Sequence, residues 1–253
     1  MDLSDITPVM LSFNEAPNIG RSLGALGRFD EIVLVDSGSS DETLELAGRH
    51  PGVRVFARDF DTHGGQWNFA VQQARTRWVL SLDADYRIDS ALLSEIEALA
   101  DSDVAAYYAP FRYWVLGQPL RRSILPPRAI LFQPARCGYV DDGHTQRLRV
   151  DGPTGTLANP VHHDDRKPLS RWLWAQGAYA RLEAQKLADD DELSRIDRIR
   201  RRKWIAPFAV FLHVFFVQRG FLDGWRGFYY AIQRMIAEAI LSLEVLEREL
   251  DET

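Results

Sequence analysis

The chain has 253 residues, 46% of them hydrophobic and 26% charged, and its net charge is −6. Length and composition are typical of a globular protein with one large domain, or with one domain and a helical appendage. The acidic balance argues against a general nucleic-acid-binding protein, and the single cysteine, Cys137, excludes an internal disulfide framework and a cysteine-based zinc cluster.

The amino terminus lacks a basic segment followed by an apolar one, so we expect no secretory signal and a cytosolic or cytosol-facing protein. Short apolar runs then alternate with helical patterns, and Asn18 is expected to cap the first helix. This alternation predicts a parallel, three-layer α/β sheet. The predicted strands of this half are residues 8–13, 31–36, 53–56 and 78–85.

Two acidic residues, Asp83 and Asp85, end the fourth predicted strand. Because side chains alternate along a strand, both carboxylates would share a face if the extended geometry continues. Two carboxylates where a central strand leaves the sheet form a natural site for a hard divalent cation, and such a cation commonly bridges diphosphate oxygens. The alternative is that Asp83 caps the following element and that Asp85 is a solvated loop residue.

Three motifs appear in order over about eighty residues, which is a more specific pattern than one Asp-X-Asp pair. Together they resemble the nucleotide-sugar half of a family 2 inverting glycosyltransferase with the GT-A fold, and in particular the lipopolysaccharide-core glucosyltransferases. The resemblance implies a GT-A α/β domain over residues 1–165 and a helical, membrane-associating region over residues 166–253. The motifs are Ser12-Phe-Asn-Glu-Ala-Pro-Asn-Ile19, Val35-Asp-Ser-Gly-Ser-Ser-Asp-Glu-Thr43 and Leu82-Asp-Ala-Asp85, and Gln66-Trp-Asn68 also fits.

The resemblance also implies roles for single residues. Asp36 would accept a hydrogen bond from the nucleobase or ribose, Asp83 would lie near the ribose or metal, and Asp85 would bind Mg²⁺ or Mn²⁺ directly. His163 would be a third metal ligand. One departure from the family pattern is Tyr86, which stands where an acid is usual. The implied donor-binding residues are Ser12, Asn14, Glu15, Asp36, Gln66, Asn68, Asp83 and Arg166.

Some of these residues have alternative interpretations. Asp36 is also suited to capping a turn, Glu15 to a purely structural role, and Arg166 to ordinary surface charge. For His163, a structural role is the usual one for a lone histidine. These alternatives stay open at the level of the sequence.

The acceptor side is expected within residues 105–150, where three further strands are predicted. An inverting transfer is a single in-line displacement, so one base must deprotonate the acceptor hydroxyl. The resemblance favours Asp142 for this role, with Asp141 and His144 as the other candidates. The alternative is that the Asp-Asp-Gly sequence is a turn in a surface loop.

The last third of the chain is predicted to be helical, with a helix over residues 169–187 and a break at residues 189–192. A cluster of basic residues then leads into the apolar residues 204–217, which are too few to span a bilayer comfortably. This pattern predicts a helix in the interface of an anionic membrane, and the alternative is a buried helix. The final helix has an apolar stripe that includes Leu243 and Leu250. The stripe permits contact between subunits, although packing on the preceding helices is the simpler interpretation.

The function implied by the resemblance is metal-assisted transfer of a sugar from a nucleotide donor, with a UDP-hexose expected. The acceptor would be lipopolysaccharide core or another lipid-linked saccharide at the inner face of the cell membrane. A polyprenyl-phosphate glycosyltransferase and a non-catalytic nucleotide-sugar-binding scaffold are the alternatives.

Overall fold

The computed structural model describes residues 1–100, 102–142, 145–189 and 195–251, so His144 and residues 190–192 of the predicted break lie outside the described residues. The strands are β1 (Ile6–Ser12), β2 (Ile32–Asp36), β3 (Val53–Ala57), β4 (Trp78–Asp83), β5 (Tyr86–Arg87), β6 (Ala106–Ala109), β7 (Phe111–Val115), β8 (Gln118–Pro119), β9 (Arg128–Phe132), β10 (Cys137–Asp142), β11 (Thr145–Val150), β12 (Thr154–Thr156) and β13 (Val161–His163). The helices are α1 (Ile19–Gly24), α2 (Thr43–Gly48), α3 (His63–Gln72), α4 (Ser90–Glu97), α5 (Leu169–Asp189), α6 (Arg195–Arg200), α7 (Ala206–Leu212) and α8 (Trp225–Asp251), with a π-helical turn at His213–Val217 and a 3₁₀ turn at Gly220–Asp223.

The chain forms two compact units, and both are assembled from separate segments of the sequence. The first unit contains Met1–Gly117, Leu125–Asp141 and Gln146–Arg166, and the second contains Gln118–Ile124, Asp142–Thr145 and Lys167–Thr253. Compactness does not show that either unit folds alone, so the predicted domain boundary at residue 165 stays a prediction.

The first unit is built around a seven-stranded sheet with the strand order β12-β6-β9-β4-β1-β2-β3. Strands β3, β2, β1 and β4 are parallel, as predicted from the alternating pattern. The sheet continues beyond this half with β9, which is antiparallel to both β4 and β6. Residues 110–127 between β6 and β9 contain no helix, and an antiparallel pair does not need the helical crossover that a parallel pair requires.

Helices cover both faces of this sheet, because alternate residues of the buried strands point to opposite sides. Met10 and Leu34 pack on the same side as α1. Val9 and Val33 pack with Trp67 of α3 on the other side. The predicted three-layer α/β arrangement is therefore confirmed.

A second, smaller sheet joins β13 to β5 on one side and to β7 on the other. His163 is in register with Tyr86 and Tyr113, whereas His162 is in register with Arg87 and Arg112. Because neighbouring residues of a strand point to opposite faces, the two adjacent histidines lie in different environments.

The second unit is helical. Helix α5 packs on α8 through a small apolar cluster that includes Ala184 and Leu241. The predicted helix over residues 169–187 is confirmed as part of α5. Leu243 and Leu250 of the predicted stripe on α8 are 66% and 74% exposed, so the expectation that the stripe packs on preceding helices is wrong for these two residues. Within the described part of the chain, every helix is too short or too polar to cross a bilayer.

Candidate active site

Asp36 ends β2 and is buried at the carboxyl edge of the main sheet. Its carboxylate accepts hydrogen bonds from the Ser12 hydroxyl at 2.7 Å, from the Gly38 and Ser39 amides at 3.0 and 2.7 Å, and from the Ser39 hydroxyl at 2.6 Å. A carboxylate has about four lone-pair sites, so these four bonds use its accepting capacity. Asp36 therefore joins the end of β1 to the turn after β2.

The first loop, after β1, is tied to the same turn. Asn14 has a left-handed backbone with φ 54°, a conformation that asparagine tolerates better than most residues. The side-chain oxygen of Asn14 accepts a hydrogen bond from the backbone amide of Ser40 at 2.8 Å. The backbone amide of Asn14 donates to the Ser39 hydroxyl at 2.8 Å. The buried Glu15 donates its amide to the Thr43 hydroxyl at 2.7 Å. The two loops therefore form one hydrogen-bonded unit.

Asn18 occupies the N-cap position of α1, as predicted, but its side chain makes no capping hydrogen bond. Its side-chain oxygen accepts instead from the Arg166 amide at 2.8 Å, and its side-chain nitrogen donates to Asp165 at 2.9 Å and to Glu15 at 2.8 Å. Asn18 therefore connects the first loop to the chain that follows β13.

Asp164 is a buried carboxylate held between two guanidinium groups. Arg21 donates to it at 2.7 Å, and Arg166 donates at 2.7 and 3.0 Å. Burial alone would raise the pKa of Asp164, but the hydrogen bonds and charges of Arg166 and Arg21 outweigh burial and lower it. The Asp164 amide donates to the carbonyl of Asp85 at 3.1 Å, so the ion pairs also fix the backbone of the Asp-Ala-Asp motif.

The Asp-Ala-Asp motif is not extended. Strand β4 ends at Asp83, and Asp85 lies in a turn, so the expectation that both residues continue one strand is wrong. The carboxylates are nevertheless close enough to interact: burial first, and then the charge of Asp85, raise the pKa of Asp83. The buried hydroxyl of Tyr86 donates a hydrogen bond to Asp83. Tyr86 therefore supplies a donor where relatives are expected to carry another acid.

His163 lies beside Asp85, with 3.1 Å between its Nε2 atom and the carboxylate. Its ring makes edge contacts with Tyr86 and Tyr113 at centroid distances of 5.2 and 4.8 Å. Burial alone would lower the pKa of His163, but the charge of Asp85 and the hydrogen bond to it outweigh burial and raise the pKa. The Nδ1 atom is buried and has no hydrogen-bond partner among the described residues.

A divalent cation fits this position in part. No group of three or more His, Cys, Asp and Glu side chains among the described residues is arranged to hold a metal ion. Asp83, Asp85 and His163 are nevertheless neighbours, and the pKa of Asp83 is raised by burial first and then by the charge of Asp85, both of which a cation would offset. Mg²⁺ is commonly bound through one or two carboxylates together with phosphate oxygens of a substrate, so a complete cage of protein ligands is not required.

Gln66 and Asn68, which were also predicted to bind the donor, form hydrogen bonds within the protein. Gln66 is buried, accepts from Arg58 at 2.6 Å and donates to the Ser37 hydroxyl at 2.9 Å. Asn68 makes a pair of 2.9 Å hydrogen bonds with the backbone of Tyr139 in β10. Gln66 therefore borders the turn after β2, whereas Asn68 attaches α3 to β10.

The predicted base candidates occupy different positions. Asp141 accepts from the Gly64 amide at 2.7 Å, where α3 begins. Asp142, in the second unit, forms a 2.7 Å ion pair with Lys186 of α5. Burial alone would lower the pKa of Lys186, but the hydrogen bond to Asp142 and nearby acidic charges raise it. Two of the three candidates therefore have defined partners.

Most of the predicted donor and metal residues meet at one edge of the main sheet, whereas Asn68 lies on α3 beside β10 and Arg166 is held by Asp164. The sequence did not identify Arg21, Asp164 or the hydrogen-bonding role of Tyr86. No local spacing marks these residues, since Arg21 and Asp164 are 143 positions apart.

Residues 8–150 match the family model of glycosyl transferase family 2. The chain is 24% identical over 263 residues to the lipopolysaccharide core biosynthesis glycosyltransferase LpsC of Rhizobium meliloti, with 96% of this chain and 92% of LpsC covered. Among solved structures, it is similar to the mannosyltransferase PcManGT from Pyrobaculum calidifontis in complex with GDP-Man and Mn²⁺, with a TM-score of 0.57, 15% identity and coverage of 97% of this chain and 88% of that one.

The fold is also similar to S. aureus TarS 1-349 in complex with UDP-GlcNAc, with a TM-score of 0.52, 15% identity and coverage of 98% of this chain and 92% of that one. At this level of identity the two structural similarities show the fold alone. The expected α/β fold of the GT-A type, with helices after it, is confirmed.

We expect the Asp164→Asn substitution to lower the free energy of unfolding by about 1–3 kcal/mol, because it leaves two partly solvated guanidinium groups without their carboxylate. The measurement is urea unfolding of both proteins across a pH series. Since the folded-state pKa of Asp164 is lowered, its contribution is complete above the ordinary aspartate value of 3.8 and is lost as the pH falls through the folded-state pKa. The difference in the free energy of unfolding between the wild type and Asp164→Asn should therefore shrink as the pH falls below 3.8.

The matched control is Glu97→Gln, which breaks the exposed ion pair with Arg28. Exposed pairs contribute about 0–1 kcal/mol, so this variant should stay near the wild type. Equal stability of Asp164→Asn and Glu97→Gln would contradict a structural role for the buried pair.

Proposed function

The chain belongs to glycosyl transferase family 2, and from that premise we propose that it is an inverting, metal-dependent enzyme that transfers a sugar from a nucleotide donor to a lipid-linked saccharide. The observation that carries this proposal is the position of Asp36 and Asp83 at the carboxyl ends of β2 and β4, on either side of β1, with Asp85 and His163 beside Asp83. In open α/β sheets, ligands bind in the crevice at this edge.

The donor would bind with its nucleoside beside Asp36 and the first loop. All four acceptor sites of the Asp36 carboxylate are used. An N–H or O–H group of the nucleobase or ribose must therefore replace one of the existing hydrogen bonds. The Ser39 hydroxyl suits this exchange, since it can rotate toward another acceptor. Asn14 and Glu15 would order the loop, Gln66 would support the adjacent turn, and a UDP-hexose is the donor expected from the resemblance.

Asp85, Asp83 and His163 are the residues that would hold Mg²⁺ or Mn²⁺. When bound, the cation supplies charge neutralisation to the departing diphosphate. The similar fold of PcManGT, which was solved in complex with GDP-Man and Mn²⁺, supports this assignment. Arg166 would add a positive charge near the phosphates, although its guanidinium must share its contacts with Asp164.

Asp142 would accept the proton of the acceptor hydroxyl as the new glycosidic bond forms. In the described structure its oxygen is paired with Lys186, so the ammonium must release this oxygen before proton transfer. Asp141 and His144 are the alternative bases.

The ion pair between Asp142 and Lys186 favours a second candidate function, transfer to a polyprenyl phosphate. An acceptor that is already an anion needs no strong base.

The acceptor would be presented at a membrane. The name of LpsC, a lipopolysaccharide core biosynthesis glycosyltransferase, supports a lipid-linked acceptor. In the second unit, large apolar side chains recur at four-residue steps and are exposed, led by Trp204 at 78% and Phe208 at 67%. An exposed apolar surface of this kind is typical of a membrane or protein contact. The exposed members at this spacing are Trp204, Phe208, Leu212 and Phe216.

The start of α8 extends the same type of surface. A Cβ atom at Gly227 would overlap the carbonyl oxygen of Gly220, so the backbones of α8 and the preceding 3₁₀ turn are packed against each other without intervening side chains. Large side chains of these segments, including Trp225 and Phe228, are exposed. Aromatic residues beside arginines suit the interface of an anionic membrane.

This assignment gives residues 1–165 the transfer reaction and residues 166–253 the attachment to the inner face of the cell membrane. The exposed Leu243 and Leu250 of α8 are the surface through which two chains would associate, if the protein is an oligomer.

We expect UDP to raise the melting temperature of the protein in the presence of Mn²⁺, by about 5–10 °C at a hundred times its Kd, because it binds the native state selectively. The panel compares UDP, GDP and ADP with and without Mn²⁺. Asp85→Asn should remove the part of the shift that needs Mn²⁺, and the control Asp30→Asn, at an exposed site, should retain it. A full Mn²⁺-dependent shift in Asp85→Asn would refute the metal assignment, and no shift with any nucleotide would refute donor binding.

We expect Asp142→Asn to lower kcat about 10²–10⁴-fold while leaving nucleotide affinity unchanged, because general bases contribute about that factor. Lys186→Met is the control that removes the ion pair but keeps the carboxylate, and it should retain activity. The same loss in Asp141→Asn but not in Asp142→Asn would assign the base to Asp141. Full activity of both variants and of His144→Gln would favour the polyprenyl-phosphate acceptor.

We expect the Trp204→Ser/Phe208→Ser double variant to bind vesicles at least about tenfold more weakly, because each buried aromatic side chain contributes about 1.5–3 kcal/mol. The measurement is co-sedimentation with vesicles of phosphatidylcholine, alone or mixed with phosphatidylglycerol. Arg201→Gln/Arg202→Gln should lose the preference for the anionic vesicles.

The matched control for vesicle binding is Val55→Ser/Phe60→Ser, which changes two exposed apolar residues of the first unit. This variant should bind vesicles as the wild type does. If Trp204→Ser/Phe208→Ser binds vesicles as strongly as the wild type does, the proposed membrane surface is contradicted.

A further inference from the structure

The smaller sheet has a second face that the proposed reaction does not use. His163, Tyr86 and Tyr113 occupy the face beside Asp85, whereas the opposite face borders a cleft of about 580 Å³. A cleft of this volume is within the range that holds small ligands. It is lined by Arg21, Ala25, Arg87, Ile88, Asp89, Trp114 and His162.

Hydrogen bonds fix the orientation of the aromatic ring in this cleft. The indole Nε1 of Trp114 donates to Nδ1 of His162 at 3.0 Å. Because Nδ1 accepts, Nε2 of a neutral His162 carries the proton and donates to Asp89 at 3.1 Å. Asp89 is held in turn, since its other oxygen accepts from the Leu92 amide at the start of α4. The chain of bonds presents the indole ring in one orientation.

Two arginines flank His162 on the same face. Arg87 and Arg112 are both in register with His162, on the strands to either side of it, so their Cα atoms lie about 10 Å apart. The Arg87 guanidinium lies 5.1 Å from the centre of the Trp114 ring. No carboxylate of the described residues forms an ion pair with Arg87 or Arg112. The charge of Arg21, in contrast, is balanced by Asp164.

We propose that this cleft binds a phosphorylated saccharide. A phosphate group has several oxygens that can each accept hydrogen bonds, so it can bridge two guanidinium groups that start on opposite sides of His162. The fixed indole ring would present to the C–H face of a sugar ring the side that the Arg87 guanidinium does not cover. Arg87, which lines the cleft, and the exposed Arg112, which lies beside it on the same face of the sheet, would recognise the phosphate. Trp114 would distinguish a sugar phosphate from free phosphate.

The cleft is separate from the site of the proposed transfer reaction. The donor would bind at the carboxyl edge of the main sheet, while this cleft lies on the other face of the smaller sheet. The ligand would be a phosphate-bearing sugar of the acceptor or of a related glycan, held apart from the reacting groups. Binding here therefore does not require a cation or Asp85.

The test is isothermal titration of the full chain with glucose 6-phosphate, glucose and inorganic phosphate, in EDTA and at constant ionic strength. We expect saturable binding of glucose 6-phosphate that is at least about tenfold weaker in Arg87→Ala/Arg112→Ala, because charge-assisted hydrogen bonds to phosphate are lost. Trp114→Ala should bind glucose 6-phosphate and inorganic phosphate equally. Arg87→Lys/Arg112→Lys should fall between the wild type and the alanine variant, because lysine keeps the charge and loses the bidentate geometry.

The control is Arg49→Ala/Arg75→Ala, which removes two exposed arginines of the first unit and should leave the affinity within about twofold. Asp85→Asn should also leave it unchanged, and Arg87→Ala/Arg112→Ala should retain Mn²⁺-dependent UDP binding, so the result is independent of the donor site. Unchanged affinity in the Arg87 and Arg112 variant would overturn the proposal. Equal losses in the control variant, or tighter binding of adenosine monophosphate than of glucose 6-phosphate, would overturn it as well.

Discussion

The cost of burying carboxylates governs the edge of the main sheet where β1, β2 and β4 end. Asp36 is stabilised by four hydrogen bonds, and Asp164 is stabilised by two guanidinium groups. For Asp83, burial and the charge of Asp85 outweigh the hydrogen bond from Tyr86, so its pKa is raised. Asp36 and Asp164 hold the loops in place, and the two like-charged carboxylates of Asp83 and Asp85 mark the position at which a cation would be most stabilising.

Local patterns predicted what depends on local structure. The strands that end at Ser12, Asp36 and Asp83 are continuous apolar runs, and the order of their motifs gave the family. The direction of β9 was not predictable, because an apolar run reads the same in a parallel and an antiparallel pair. The turn at Asp85 was missed because alternation describes a strand and does not say where it ends.

The contacts of single polar residues depend on distant partners as well as on local ones. Asn18 has the residue type and position of a helix cap, but the amide of Arg166, 148 positions away, takes its side-chain oxygen. Asn68 pairs in the same way with the backbone of Tyr139, 71 positions away. A sequence contains no local mark of such partners, and their contacts decide which polar side chains are left to meet a ligand.

The register of β13 separates the two polar environments of the first unit. A slip of one residue would exchange His162 and His163 between the faces of the smaller sheet, because side chains alternate with a period of two. The Asp164 amide, which follows β13 directly, donates to the Asp85 carbonyl and opposes this slip. The ion pairs of Asp164 therefore act on both faces: they hold His163 beside Asp85, and they keep His162 under the indole ring of the cleft.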